Sequence, residues 1–206
     1  YSQVDALFNQ ENEQQARFVL DNSSVMKVSN FRIDYSQPLK ILDEGKISFG
    51  GLYEKQNYKT DSFGRLNLDY QKLNTATYLE FQTTLKNIDF IVGTRAEDYD
   101  ISGTVLNETE NKYDDLTEFK KFKFFPNASV QYNFAKQVYF ALNYNKKISL
   151  PSISVLNPNN TTFEGPNSQS SGNPNLQPTI FDNYEAKLSA VDYVFVGYNL
   201  SVAKNQ

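Results

Sequence analysis

Acidic side chains form the densest group in the sequence whose type and spacing could support chemistry. Glu97, Asp98 and Asp100 lie close together. Five more carboxylates follow at Glu108, Glu110, Asp114, Asp115 and Glu118. Carboxylate oxygens are ligands that Ca²⁺ prefers, but the Asp-x-Asp-x-Asp-Gly pattern of a calcium loop is missing. We therefore interpret the group as a solvated surface loop and predict no metal site.

A second group interleaves lysine with phenylalanine between 119 and 125. The lysines are Lys120, Lys121 and Lys123, and the aromatic residues are Phe119, Phe122, Phe124 and Phe125. Bases of single-stranded nucleic acid stack on such surfaces, but a membrane-interface aromatic girdle with extended lysines has the same composition. A formal net charge of −4 does not suit a phosphate-backbone partner. The sequence favours the girdle and predicts no nucleic-acid partner.

Residue types that most enzymes depend on are missing. The 206 residues contain no His and no Cys, which removes the usual general base, the commonest zinc ligand and any thiolate or disulfide. Serine nucleophile motifs and glycine-rich phosphate loops are also missing. We predict no catalytic residue, no cofactor-binding residue and no enzymatic activity.

The elements that position these side chains are predicted from strict alternation of apolar and polar residues. Even positions from Phe122 to Phe134 read Phe, Phe, Pro, Ala, Val, Tyr and Phe, whereas the odd positions between them are mostly polar. The pattern resumes at Val138 and continues to Tyr144 after a short break at 135–137. Period-two alternation predicts strands with two different faces, here joined as a hairpin.

The same alternation recurs along most of the chain. With the hairpin just described, it predicts about nine antiparallel strands. The other segments are 30–35, 46–54, 78–86, 88–97, 184–190 and 194–202, with a less clear candidate at 16–21.

Connection lengths alternate between short and long. The predicted short turns lie near 37–43, 86–87, 135–137 and 191–193. The predicted long loops lie at 57–73, 103–119 and 150–181. Outer-membrane barrels have short periplasmic turns and long extracellular loops. A soluble β-sandwich also alternates, but its strands are typically about 5–6 residues long. The pattern therefore favours a transmembrane barrel, with a soluble sandwich such as a carbohydrate-binding module as the alternative.

Four segments resemble the barrel of TonB-dependent receptors, particularly the outer-membrane β-barrel family of Bacteroidota. The segments are Gly93-Thr94-Arg95-Ala96-Glu97, Phe124-Phe125-Pro126-Asn127-Ala128-Ser129-Val130-Gln131-Tyr132, the stretch from Tyr144 to Pro158, and Gly172-Asn173-Pro174-Asn175-Leu176-Gln177-Pro178 followed by Asn183-Tyr184-Glu185. Their order and spacing agree with the family. Relatives often have Arg before the Pro-Ser pair, where this sequence has Leu150, which puts any inherited ligand contact in doubt.

The resemblance implies a fold and a location. Residues 1–206 are expected to be part of one all-β antiparallel transmembrane barrel of about 22 strands, located in the outer membrane and in contact with its lipid. The N-terminal plug and the remaining strands are expected to lie outside this chain.

The resemblance also implies a function, namely energy-coupled uptake of a siderophore, metal complex, peptide or glycan. The implied partners are TonB, acting through the plug, and a surface lipoprotein or other envelope partner. We expect the ligand surface on 57–73, 103–119 and 150–181, without choosing individual residues. The alternative within the same fold is a barrel that acts in assembly or partner binding without transport.

Overall fold

Nearly the whole described chain is β-strand. The computed structural model describes residues 22–40, 44–62, 64–135, 137–157, 162–165, 168–170, 172–190 and 194–205. Its strands are β1 Asn22–Leu39, β2 Glu44–Ser62, β3 Arg65–Leu85, β4 Ile88–Asn107, β5 Lys112–Asp115, β6 Phe119–Ala135, β7 Val138–Ser149, β8 Thr162–Gly165, β9 Ser168–Ser170, β10 Thr179–Ala190 and β11 Val194–Asn205. One short helix, α1, spans Ile153–Leu156.

The strands form one antiparallel sheet in chain order. The order is β1-β2-β3-β4-β6-β7-β10-β11, with β5 paired to β4 beside this path and β8-β9 as a separate pair. Every pairing is antiparallel. Within the described ranges β1 and β11 are the two edges, so the sheet is open. The predicted all-β antiparallel fold with about nine strands is confirmed, whereas the candidate strand at 16–21 lies outside the described residues.

The strands are longer than the sequence indicated. The prediction of a long loop at 57–73 is wrong, because β2 and β3 extend through most of this stretch. Gly64, with a φ of +73°, lies in the tight turn between the two strands. The predicted loop at 103–119 is also mostly paired, since it contains the end of β4 and all of β5. Polar pairs such as Lys59 and Asp69, 2.7 Å apart, support a strand as well as apolar pairs do. The loop was predicted only because residues 57–73 are mostly polar.

The other connections follow the prediction more closely. Strand ends confirm the short turns at 86–87 and 135–137. The turn predicted at 37–43 is shorter, because β1 reaches Leu39 and β2 begins at Glu44. The connection between β7 and β10 is long, as predicted, and it contains α1 and the β8-β9 pair. Residues 191–193 lie outside the described ranges.

The two faces of the sheet differ in chemistry. Large apolar side chains are exposed on what we call the outer face, including Phe31, Leu79, Val92, Phe124 and Leu142, which are 51–66% exposed. The inner face carries charged and amide side chains. No helix within the described residues is long and apolar enough to cross a membrane.

The sheet curls so that the polar face is concave. Arg32 of β1 and Asn145 of β7 line one space of about 590 Å³. Five strand steps separate β1 from β7, which at about 4.8 Å per step would be about 24 Å in a flat sheet. Side chains that far apart share a space only when the sheet bends around it.

An apolar cluster covers the inner face at the end that carries the long connections. We call it the inner cluster, and it consists of Leu68, Tyr70, Tyr99, Ile101, Val105, Leu116, Phe119, Phe125 and Leu156. Its members are at most 8% exposed, and Leu68 is fully buried. Leu116 and Leu156 come from connecting segments, so the cluster fixes those segments to the wall.

Candidate functional site

The inner face carries a buried carboxylate held by three neighbouring groups. Glu97 of β4 is only 3% exposed. It pairs with Arg95 and accepts hydrogen bonds from the Tyr99 hydroxyl and from Asn74 Nδ2, the latter at 3.3 Å. The Arg95 guanidinium also lies 5.5 Å from the centre of the Phe125 ring. Strands β3, β4 and β6 therefore position one charged group, as a buried carboxylate requires.

One polar atom next to Glu97 is buried but accepts no hydrogen bond within the described residues. Asn74 is 8% exposed, and its Oδ1 has no hydrogen-bond partner in the part of the chain that the structure describes. A buried amide oxygen that accepts no hydrogen bond costs free energy, because it has lost its hydrogen bonds to water without replacing them. The network around Glu97 therefore leaves one acceptor unsatisfied.

A second polar group reaches across a strand through a glycine. Tyr78 of β3 donates its hydroxyl proton to Asp34 Oδ1 on β1, at 2.7 Å, and Asp34 Oδ2 lies 2.6 Å from Arg32 Nε. Gly50 of β2 lies between them. A Cβ at Gly50 would be 2.5 Å from Tyr78 Cε1 and 2.4 Å from the Ile33 carbonyl oxygen. The missing side chain gives the tyrosine ring its path across the sheet.

The same arrangement recurs on β4. Asn127 of β6 donates to Glu80 Oε2 of β3 at 3.2 Å. Gly93 lies between them, where a Cβ would be 2.8 Å from Asn127 Oδ1. Each glycine leaves room for a side-chain hydrogen bond between the two strands on either side of its own.

Rows of side-chain amides extend the polar surface toward β11. Ser129 donates to Asn143 Oδ1 at 2.6 Å, and Asn143 donates to Glu185 at 3.3 Å. In the next row Asn183 donates to Asn145 at 2.9 Å. These side chains bind each other and leave further donors and acceptors for water or a polar molecule.

The segments between β7 and β10 fold onto the inner face. We call residues 150–157 and 172–178 the stem. Leu156 belongs to the inner cluster, and Leu150 and Ile153 pack against it. Asn173 N donates to the Val155 carbonyl at 2.7 Å, which joins the two halves of the stem. The stem therefore packs against the inner cluster at this end of the sheet.

The three predicted ligand segments meet at the same end of the structure. Arg65, at the tip between β2 and β3, donates to Asn111, at the tip between β4 and β5. Tyr113 also donates to the Leu66 carbonyl at 3.1 Å. Thr117 donates to Asn175 of the stem at 3.1 Å. The stretches 57–73, 103–119 and 150–181 are thus in contact, although their role as a ligand surface stays a prediction.

One lysine forms two ion pairs at the tip between β4 and β5. The exposed Lys112 pairs with Glu110 and, at 3.5 Å, with Asp114. The hydrogen bond to Glu110 and then the charge of Asp114 raise the pKa of the Lys112 ammonium above its usual range.

The acidic cluster does not act as one group. Glu97 is buried on the inner face, whereas Asp98 and Asp100 are exposed on the outer side, because neighbouring residues in a strand point to opposite faces. Among the described residues, no three Asp or Glu side chains lie close enough together to hold a metal ion. Interpreting Glu97 as part of a solvated loop was wrong. Glu97 follows Gly93 and Arg95 at alternate positions, and this pattern in the sequence indicated that its side chain belongs to the inner face of a strand.

The lysine and phenylalanine segment is also split between the faces. Phe122 and Phe124 are exposed on the outer face, 58% and 59% respectively, as a girdle requires. Phe119 and Phe125 are buried in the inner cluster. Only half of the aromatic residues therefore fit the predicted girdle.

Comparisons with known proteins agree with the geometry. A family model described as "Outer membrane protein beta-barrel family" matches residues 1–206. No curated protein matches the chain. The alcaligin outer membrane receptor FauA from Bordetella pertussis is similar in structure, with a TM-score of 0.64 and 16% identity over 88% of this chain. A structure of the FpvAI–pyocin S2 complex is similar with a TM-score of 0.69 and 13% identity over 98% of this chain. The chain spans 30% and 29% of the length of these two structures, which show the fold.

Proposed function

The chain belongs to the outer membrane protein beta-barrel family, and on that premise we propose that it forms part of the wall of a TonB-dependent transporter that takes up a scarce ligand. The location in the outer membrane follows from the family. The resemblance of the four segments quoted above supports the Bacteroidota type of receptor. A plug domain and further strands outside residues 1–206 complete the proposed transporter.

The contrast between the two faces carries this proposal. In a membrane barrel the outward side chains contact lipid and the interior holds water or a folded plug. Val92 and Leu79 suit the first environment, and the network around Glu97 and Asp34 suits the second. The fixed stem and the joined strand tips support ligand capture at the extracellular end. They favour binding and transport over bond chemistry.

The proposal also names a class of ligand and the partner proteins. The ligand is a siderophore, metal complex, peptide or glycan that contacts the tips and the stem. TonB acts through the plug, and a surface lipoprotein or other envelope partner covers the extracellular end. The alternative is a barrel that acts in assembly or partner binding without transport.

Uptake by cells with and without the full-length protein tests this function. The probes are an iron-55-loaded hydroxamate siderophore, cyanocobalamin, a labelled dipeptide and a labelled oligosaccharide. We expect deletion of the gene to abolish accumulation of one probe, and a protonophore to abolish it in complemented cells. Unchanged accumulation of all four probes, together with loss of envelope integrity on deletion, would favour the assembly alternative.

The assignment of the faces gives a prediction at two adjacent residues. Val92 is 55% exposed on the outer face, and Ile91 lies on the inner face of the same strand. Val92→Arg should destabilise the barrel by about 3 kcal/mol, because it places a charge in lipid. Ile91→Arg should cost less than about 1 kcal/mol, because a charge facing the barrel interior stays in polar surroundings. Urea unfolding of full-length variants in vesicles measures both, and equal losses would contradict the assignment.

A further inference from the structure

The two halves of the inner face differ in how their cations are paired. On β1 to β4, Arg32, Lys72 and Arg95 each form an ion pair with a carboxylate. On β6, β7, β10 and β11, the described inner-face positions carry four lysines and one carboxylate. These residues are Lys121, Lys123, Lys147, Lys187 and Glu185. The second half therefore has an excess of positive charge.

Two of these lysines form no ion pair with any described carboxylate. Lys121 and Lys147 are both exposed. Glu185 accepts a hydrogen bond from Asn143 at 3.3 Å instead of pairing with either of them. Lys147 Nζ lies 5.7 Å from the centre of the Phe181 ring, which attracts the ammonium but leaves it N–H donors for another acceptor. Both cations are thus available to an anion.

Lys147 lies at the extracellular mouth of the concave space. Strand β7 ends at Ser149 and β10 begins at Thr179, so Lys147 is close to the end that carries the long connections. It lines the concave space of about 590 Å³ together with Asn145. In a barrel with long extracellular loops, a molecule that enters from outside meets this end first.

A row of amide and hydroxyl groups runs from Asn145 across the next two strands. Asn183 Nδ2 donates to Asn145 Oδ1 at 2.9 Å, and Ser201 Oγ donates to Asn183 Oδ1 at 2.7 Å. The Asn145 Nδ2 group has no acceptor in the part of the chain that the structure describes. Neighbouring strands are about 4.8 Å apart, a spacing comparable to the length of one sugar unit. The row therefore suits a linear chain of sugars, whose hydroxyls recur along its length.

We propose that this mouth binds an acidic oligosaccharide, an inference that rests on the proposed function and narrows its ligand class. Sugar carboxylates accept hydrogen bonds from Lys147 and Lys121, and sugar hydroxyls contact the row of Asn145, Asn183 and Ser201. The register of β6 and β7 places the two lysines about 14 Å apart, so a chain of several acidic units reaches both. A neutral glycan would leave both cations without an acceptor.

Isothermal titration calorimetry of the detergent-purified full-length protein tests the site with two trisaccharides. Trigalacturonate carries a carboxylate on each sugar, whereas maltotriose has the same number of sugars and no charge. We expect trigalacturonate to bind about tenfold more tightly than maltotriose, with an affinity that falls as the NaCl concentration rises. Lys147→Gln and Lys121→Gln should each weaken trigalacturonate binding about fivefold and leave maltotriose binding unchanged.

Two further variants control for charge and for folding. Lys120→Gln is matched to Lys121→Gln, because Lys120 is the next residue on the outer side of β6 and lies 3.5 Å from Glu118. It should change the binding of neither trisaccharide. Lys147→Arg keeps the cation and should retain trigalacturonate binding.

Equal affinity for the two trisaccharides would overturn the proposal. Equal losses in Lys120→Gln and Lys147→Gln proteins that keep their heat-modifiable mobility would also overturn it. The transport proposal fails by a different result. Cells that bind trigalacturonate through this protein but do not accumulate it would support the site and refute uptake. Protonophore-sensitive accumulation of another probe, with no trigalacturonate binding by the protein, would refute the site and support uptake.

Discussion

Replacing Glu97 with leucine should destabilise the folded barrel by about 4 kcal/mol, because it breaks a buried, hydrogen-bonded ion pair. The change leaves the Tyr99 hydroxyl and Asn74 Nδ2 without their buried acceptor, and each unsatisfied donor costs about 1–3 kcal/mol. Arg95 loses its ion pair as well, although its side chain is 47% exposed and water compensates part of that loss. The midpoint of urea unfolding in vesicles and the temperature at which the heat-modifiable gel band disappears would both fall.

Two matched variants separate the buried network from charge alone. Glu97→Gln keeps an acceptor oxygen in place and should cost about half as much. Asp98→Ala removes the neighbouring carboxylate from the exposed side of the same strand and should stay within about 0.5 kcal/mol of the unmodified protein. A larger loss at Asp98 than at Glu97 would show that the network has been assigned to the wrong face.

Replacing Phe119 with alanine should cost about 3–5 kcal/mol, the usual range for a buried phenylalanine. Its side chain is 3% exposed, and its ring centre lies 5.9 Å from that of Tyr99. Because the inner cluster also holds Leu156, the stem should detach before the wall unfolds. Amide hydrogen exchange should then increase at 153–156 while β3 and β4 stay protected.

Phe122→Ala is the control for that variant. Phe122 lies on the same strand, but it is exposed on the outer face and belongs to no buried cluster. Its removal should leave exchange in the stem unchanged. An equal increase of stem exchange in both variants would mean that Phe119 does not anchor the stem.

The sequence predicted the strands well because alternation is a local property. The hairpin at 122–144 could be identified from parity alone, and so could the distinction between Val92 and Ile91. Strand ends were less predictable, because β2 and β3 continue in polar residues where pairs such as Lys59 and Asp69 replace apolar contacts.

Long-range contacts explain most of what the sequence did not predict. Tyr78 reaches Asp34 only because Gly50 lies between them in the folded sheet, and sequence order does not indicate that path. The anchoring of the stem depends on Leu156 meeting Phe119 across the inner cluster. A long segment rich in Asn and Pro gives little local signal for such packing.

The order of the strands also has a consequence for folding kinetics. Each long strand pairs with the next long strand along the chain, so most of the wall can form by closing short hairpins, which is fast. The longest connection has 29 residues, from Leu150 to Pro178, and joins β7 to β10. Closing it costs on the order of 2 kcal/mol more entropy than a two-residue turn. Early docking of the stem shortens the effective loop, so the inner cluster should determine how quickly β10 joins β7.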